Sequence, residues 1–314
     1  MLTTLKLRDF RCFPTWEGEF APGCTAIVGP NARGKTSLLE AACVMLRLQS
    51  PRSATLAPLI RVGGVGFVVD GYYANRHMQF YFSSRRKKLA LDSVEQKTAA
   101  QYLKVGRVVW FSNSDIALVR ESAAERRRYL DFVAAQVDPV YRQHLRSYER
   151  ALKARNFLLK ATPVRWREIA AFDEPLVSAG NALMAARANL VAALAPLAAA
   201  AHRAISGQAE ELTLRYLPGA EDDFATALAL SREESARLRQ TVVGPHRDEV
   251  ELVLNGLPAA MGSEGQQRTV VLALRLAQAQ LIARQTRQLP LLLLDDVFGE
   301  LDVMRRNALM AHLP

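Results

Sequence analysis

One loop constrains this chain more than any other feature. Gly29-Pro30-Asn31-Ala32-Arg33-Gly34-Lys35-Thr36 fits the pattern G-x-x-x-x-G-K-[ST]. Open backbone N–H groups and a following helix N-terminus make such a loop a cradle for phosphate. Residues 24–28 (CTAIV) read as a strand running into it. Residues 35–48 carry Leu38, Leu39, Ala42, Met45 and Leu46 at the spacing of an amphipathic helix. A chance glycine turn between two such elements is the weaker reading. In this cradle Lys35 reaches the β- and γ-phosphates of a nucleoside triphosphate, and the Thr36 hydroxyl ligates Mg²⁺.

The loop needs a carboxylate partner, and the far end of the chain supplies one. Leu291 to Leu294 read as a strand buried on both faces, ending at Asp295-Asp296. Unpaired buried charge is costly, so packing is a poor reason for two carboxylates there. Asp295 is expected to hold Mg²⁺, and Asp296 to orient or deprotonate the attacking water. Alone, the pair would read as a strand ending in solvent; beside the loop, that becomes the minor reading.

A third element, Met261 to Thr269, precedes a long helical pattern. Ser263 and Gln266 have capping-box spacing, and Gly262 and Gly265 leave the N–H groups open. It reads either as a well-capped helix or as a γ-phosphate sensor donated by a second subunit. Its place about 30 residues before the Asp pair favours the second.

The chain has 314 residues, 50% of them hydrophobic, with a formal charge of +10. Disorder is excluded by the apolar content, and the positive excess favours an anionic partner, nucleic acid or membrane surface. Three cysteines, Cys12, Cys24 and Cys43, lack C-x-x-C spacing and read as small buried residues of a reducing cytosol. The longest apolar run, Leu190 to Ala201, is too short for a bilayer, and no signal peptide opens the chain, so a cytoplasmic protein with no membrane partner is expected.

Strand patterns occupy residues 2–10, 60–91 and 106–111. Long helical patterns follow from 115 to 206, with Pro163 and Pro175 expected as breaks. Strand signals return at 212–217 and around 241–254, then a helix over 265–285, a strand at 289–296 and a last helix to about His312. The expected architecture is an α/β head with a mixed sheet, residues 1–112 and 240–314, interrupted by a helical arm, 113–239. Between Arg120 and Glu168 there are 12 Lys+Arg against 6 Asp+Glu. Arg142, Arg146, Arg150 and Lys153 fall on one stripe of one helix, and Tyr141, Leu145, Tyr148 and Leu152 on a separate apolar stripe expected to pack inward. A solvated face explains part of this. Four like charges on one face are better explained by a duplex DNA backbone nearby. Arg126, Arg127 and Arg128 are candidates to extend the patch.

Together the three phosphate elements resemble an ABC-type ATPase head of the chromosome-maintenance kind. More narrowly, the chain is similar to the RecF family of bacterial DNA replication and repair proteins. The narrower signals are RRRYLDF (126–132), KARNFLLK (153–160) and GPHRDE (244–249). The resemblance implies an ATP-dependent homodimer. Gly29, Pro30, Asn31, Ala32, Arg33, Gly34, Lys35, Thr36 and Asp295 would bind ATP and Mg²⁺ in cis. Ser263, Gly265 and Gln266 would meet the γ-phosphate in trans, with Asp296 catalytic alongside Lys35. Asp302 would communicate across the dimer, and Arg11 either contacts the nucleotide or is an ordinary surface arginine. The resemblance further implies clamping of double-stranded DNA near gaps and single-/double-strand junctions, recombinase loading, RecR and RecO as partners, and a weak DNA-dependent ATPase. Two departures stand out. Gly299 opens the GELD turn where the family more usually has Ser, and the chain stops at Pro314, before the family's last strand and switch segment, which puts hydrolysis in question.

Other ATPases fit less well. A long-armed structural ATPase needs hundreds of heptad-patterned residues, whereas Gly34 and Gly262 are 228 positions apart. A transporter ATPase has no use for the basic arm and would place Glu after the first Asp. A small-molecule kinase leaves GSEGQQR unexplained.

Overall fold

Alternation of apolar and polar residues from Leu2 onward starts the first sheet. The computed structural model describes residues 1–207, 210–220 and 223–312, excepting the side chains of Glu300 and His312. Its elements begin with β1 (Leu2–Phe10), β2 (Phe13–Glu19), α1 (Lys35–Arg47), β3 (Gly66–Tyr73), β4 (Arg76–Ser83), β5 (Lys87–Leu91), β6 (Val94–Glu95), α2 (Ala99–Lys104) and β7 (Val108–Ser112). Helices follow: α3 (Ala117–Arg120), α4 (Ala123–Val137), α5 (Tyr141–Leu159) and α6 (Trp166–Ser206). The rest is β8 (Leu212–Leu217), α7 (Phe224–Leu230), α8 (Arg232–Leu238), β9 (Glu249–Leu254), β10 (Leu257–Pro258), α9 (Glu264–Thr286), β11 (Leu291–Asp295) and α10 (Val303–His312).

Packing divides the chain into two compact units, Met1–Asn113 with Arg287–Leu301, and Ser114–Thr286 with Asp302–Pro314. The first break lies beside the expected one. Residues 240–286 group with the helices, unlike the expected division at 239/240, because α9 buries against α4 and α6. The Tyr129 hydroxyl of α4 donates to the Leu274 carbonyl at 3.0 Å, and Arg275 pairs with Asp115 through two bonds of 3.0 and 2.6 Å.

In the first unit an antiparallel sheet runs β2-β1-β3-β4-β5-β6. Leu5, Leu7, Phe67, Val69, Phe80 and Phe82 fill its buried face, with Phe10 edge-on to Phe67 at 5.1 Å. β7 and β11 pair in parallel, Val108 to Phe111 being buried.

The expected strand at Cys24–Val28 does not form. Among the described residues no strand pairs with it, and Val28 is 89% exposed. Strand propensity expresses fit to a pleated, half-buried surface, and here β7 and β11 take each other as partners. Cys12 and Cys24 are likewise exposed, and only Cys43 is buried as expected.

The second unit is built on α6. Pro163 does separate α5 from α6, but Pro175 lies within α6, as does Pro196. An interior proline costs about 3 kcal/mol. Burial of Ile169, Leu176, Leu183, Leu190, Leu194 and Ile205 along the helix offsets that. α6 is long and apolar enough to cross a bilayer by those measures alone, although its buried residues include Arg187 and His202. β8 and β9 pair antiparallel. Of the expected strand 241–254 only β9 forms, because residues 241–248 are taken up in a polar network.

Arg187, 3% exposed, is the centre of that network. Its Nη1 donates to Asp248 Oδ2 and to the Pro245 carbonyl, both at 2.7 Å. Its Nη2 donates to Asp131 Oδ1 at 2.8 Å, and its Nε to the Tyr141 hydroxyl at 3.0 Å. Buried Asp248 also accepts from the Tyr216 hydroxyl at 2.6 Å and the Gly219 N–H at 2.7 Å. Burial disfavours the Arg187 charge, but Asp131, Tyr141 and Asp248 outweigh it and raise the guanidinium above its ordinary value. Alongside, fully buried Arg155 donates to Asp173 Oδ1 at 3.0 Å and Thr241 Oγ1 at 2.7 Å. His246 Nδ1 accepts from the Tyr148 hydroxyl at 2.6 Å, and its Nε2–H donates to the Thr241 carbonyl at 2.9 Å. A carbonyl can only accept, which fixes the neutral tautomer.

Arg187→Met strands Asp248 without its cation and is expected to cost about 3–5 kcal/mol of unfolding free energy, read from urea denaturation. Burial also pushes the His246 imidazole down to about 4 and lowers His202. The His246 ring stays neutral in the fold but protonates near about 6.5 when unfolded, so its contribution is whole above that pH and is lost as pH falls towards 4; the lowering of His202 acts in the same direction. His246→Gln should flatten the slope of stability against pH in that window by up to about 1.4 kcal/mol per pH unit. An unchanged slope would refute the neutral assignment.

Candidate functional site

Gly34 closes the loop at φ +90°, and a Cβ there would lie 2.6 Å from the Phe13 ring and 2.7 Å from Cys12 Sγ. Only glycine lets the β1–β2 turn come this close. The Gly34 carbonyl accepts the Leu38 N–H at 3.0 Å, the first bond of α1. Gly29, Pro30, Asn31, Ala32 and Arg33 are exposed on the loop, with Ala32 at φ +62°. Lys35 Nζ donates to the carbonyls of Gly29 at 2.8 Å and Pro30 at 2.9 Å, so the ammonium sits at the loop itself.

The Thr36 hydroxyl donates to Asp295 Oδ1 at 2.7 Å. Residues 259 positions apart thus meet in the first unit, where the expected leucine strand forms as β11, although only Leu293 is buried and Leu291, Leu292 and Leu294 are half-buried. Asp296 follows directly after β11 in the left-handed region at φ +55° and is exposed.

Arg11 is braced rather than loose. Its Nε and Nη2 each donate at 2.8 Å to the two oxygens of Glu40, and its Nη1 to the Pro58 carbonyl at 3.1 Å. Glu40 is fully buried on α1 and also accepts from the Ser50 hydroxyl at 2.5 Å. This acid escaped sequence reasoning, although a lone Glu between Leu39 and Ala41 was its signal.

In the second unit the capping box forms. Ser263 N–H donates to Gln266 Oε1 at 2.7 Å, and Gln266 N–H to Ser263 Oγ at 3.3 Å. Gln266 Nε2 donates on to Glu210 Oε1 at 2.7 Å, and Glu210 Oε2 lies 3.6 Å from Nε2 of buried His202. Arg305 Nε donates to Thr269 Oγ1 at 2.8 Å, and that hydroxyl to the Gly265 carbonyl at 2.9 Å. A Cβ at position 265 would lie 3.1 Å from Arg305 Nη2. Asp302 caps α10, accepting the Arg305 N–H at 2.8 Å and pairing with the Arg305 guanidinium.

On α5, Tyr141 and Tyr148 are buried and Leu145 and Leu152 half-buried, while Arg146, Arg150 and Lys153 are exposed on the other stripe. Arg142 is half-buried. Burial, and then neighbouring Arg146, push its guanidinium down to about 10, still charged at neutral pH. Arg126 and Arg127 do not extend the stripe: Arg126 chelates Glu249 at 2.6 and 2.7 Å and Arg127 donates to the Asp248 carbonyl at 2.7 Å. Arg128 pairs with Glu125 at 2.6 Å.

A family model described as the RecF/RecN/SMC N terminal domain matches residues 1–314. The "DNA replication and repair protein RecF" of Synechococcus sp. (strain JA-2-3B'a(2-13)) is 40% identical over 98% of this chain and 87% of its own length. The chain belongs to the RecF family. The RecF of Nostoc punctiforme (strain ATCC 29133 / PCC 73102) is 38% identical over 98% of this chain and 88% of its own. The solved structure "of the recombination mediator protein RecF-ATP in RecFOR pathway" superposes with a TM-score of 0.91 at 28% identity, over 99% of this chain and 89% of that one. The fold is therefore that of a RecF-type ABC ATPase head, mixed α/β as expected. RRRYLDF, KARNFLLK and GPHRDE, the narrow RecF-like segments, supply Asp131, Arg155, Asn156, His246 and Asp248, all in the buried network of the second unit. What GPHRDE does was not legible in sequence, since its partners are far away along the chain.

Proposed function

We propose that this chain is an ATP-dependent DNA-binding protein of recombinational repair. Two copies, joined head to tail by two ATP molecules, clamp double-stranded DNA near gaps and single-/double-strand junctions and promote recombinase loading. One observation carries the nucleotide half of this reading: the 2.7 Å bond between the Thr36 hydroxyl and Asp295. A hydroxyl and a carboxylate oxygen held together at the foot of a phosphate loop are a hard-oxygen donor set that fits Mg²⁺, which takes few protein ligands and completes its shell with phosphate and water. Thr36 and Asp295 would hold Mg²⁺ there, and the ion would supply positive charge against the phosphates.

The chain's own residues do the rest. The exposed N–H groups of the loop take the β-phosphate, and Lys35 exchanges the Gly29 and Pro30 carbonyls for phosphate oxygens. Asp296 orients or deprotonates the attacking water. Ser263, Gly265 and Gln266, at the open N-terminus of α9, meet the γ-phosphate of the other protomer. Asp302 is linked through Arg305 to Thr269 of that helix. Slow hydrolysis separates the protomers and resets the clamp. The naming of relatives as DNA replication and repair proteins, and a solved RecF of the RecFOR pathway, support DNA, RecR and RecO as partners. They also favour action in the cytoplasm. Arg142, Arg146, Arg150 and Lys153 contact the duplex backbone.

With saturating ATP and Mg²⁺ the chain is expected to dimerise in analytical ultracentrifugation. Lys35→Ala should abolish ATP binding, whereas Ser263→Arg should bind ATP and remain monomeric. A native chain that stays monomeric with ATP would sink the composite site. Replacing Arg142, Arg146 and Arg150 by Ala should weaken duplex binding and lower the slope of log affinity against log salt by about 2.7, read by fluorescence anisotropy.

A further inference from the structure

The run Arg85-Arg86-Lys87-Lys88 belongs neither to the nucleotide site nor to the α5 stripe. It lies at the tip of the β4–β5 hairpin, where the Ser83 hydroxyl accepts the Arg86 N–H at 3.0 Å and donates to the Arg86 carbonyl at 3.3 Å. Strand register then carries its charge across the sheet. Lys88 faces Tyr81, Tyr81 faces Val68, and Val68 faces Arg8. Alternation sets these residues in one row on the face opposite Leu7, Phe67, Phe80 and Phe82. Strands lie about 4.8 Å apart, so Arg8 and Lys88 stand roughly 14 Å from each other along the row. Arg8, Arg85 and Arg86 are exposed, with Tyr81 and Lys88 half-buried.

Of the acids around this row, Glu17, Asp70 and Asp9 are already engaged, while Glu19 and Glu95 hold no ion pair among the described residues. Lys6 holds Glu17 at 2.5 Å, His77 and Gln79 hold Asp70 at 2.9 and 3.0 Å, and Arg61 holds Asp9 at 2.8 Å. Among the described residues no ion pair involves Arg8, Arg85, Arg86 or Lys88, whereas Lys87 turns over the Phe82 ring at 5.4 Å. Like charges gathered on an open sheet face repel one another, and a polyanion relieves that. Cations strung across strands suit phosphates strung along a backbone, and a tyrosine hydroxyl among them adds a donor. An acidic peptide would be served better by a sheet edge, where main-chain bonds are offered. We infer that this face of the first unit is a second contact surface for duplex DNA, with Arg8, Arg85, Arg86 and Lys88 on its phosphates. The inference rests on the reading of the chain as a DNA-binding ATPase and adds a surface in the unit that does not carry the α5 stripe.

The test is anisotropy of a labelled random-sequence duplex with the full chain, from about 50 to about 200 mM salt. Arg85→Glu, Arg86→Glu and Lys88→Glu together should lower affinity at least about tenfold and reduce the log–log slope by about 2.7, with ATP-driven dimerisation unchanged. The corresponding glutamine variants, checked by thermal melting, keep the test valid if charge reversal disturbs folding. If the hairpin variant binds as the native chain does while the α5 variant loses affinity, this surface is not a DNA contact although the DNA reading stands. Should both variants bind like the native chain, the DNA reading falls and takes this inference with it. Retained DNA binding with loss of poly-glutamate binding would assign the face to an acidic protein and overturn the proposal.

Discussion

A guanidinium in the middle of a 41-residue apolar helix has to be met by anions wherever that helix is buried. Arg187 is met by Asp131 of α4 and Asp248 before β9, with the phenols of Tyr141 on α5 and Tyr216 on β8 completing the set. Each partner comes from a different segment, so satisfying one charge sets the register of α4, α5, α6 and the turn at 245–248 together. A purely apolar interface could slide by a turn of helix; this one cannot without leaving a carboxylate dry. The unbroken course of α6 through Pro175 and Pro196 follows from the same demand, since a break would move Arg187 away from its partners.

The parts that were legible from sequence are those settled by neighbours in the chain. The phosphate loop, the α1 pattern, the capping box of Ser263 and Gln266, and the limits of β8 depend on residues a few positions apart. The Thr36–Asp295 contact was legible because two local motifs with complementary chemistry implied it. What could not be read depends on distant partners. Cys24–Val28 has strand composition but no strand beside it, and Cys12 and Cys24 are small yet exposed. Arg126 and Arg127 look like surface charge until Glu249 and the Asp248 carbonyl are found next to them.

The same distinction tempers charge counting. The arm segment is rich in cations, yet Arg126, Arg127 and Arg155 spend theirs inside the protein, on Glu249, the Asp248 carbonyl and Asp173. Part of the segment's charge still reaches solvent, on the α5 stripe and at Arg120, Arg128, Lys160, Arg165 and Arg167. In the first unit, Arg11 and Arg61 are likewise held by Glu40 and Asp9, which isolates the row from Arg8 to the β4–β5 hairpin as the uncommitted charge of that sheet. Net charge suggests an anionic partner only in general terms; the pairing of individual cations says which faces are open to one.

The guanidinium of Arg305 lies flat against the backbone at Gly265 while holding Thr269 and Asp302. A side chain at position 265 would press on this guanidinium, which must shift by a few tenths of an ångström while it holds both neighbours. The glycine before the long helix and the aspartate that starts the final one are therefore a single lever with its fulcrum at Arg305. A change at either end therefore reaches the other through the same guanidinium.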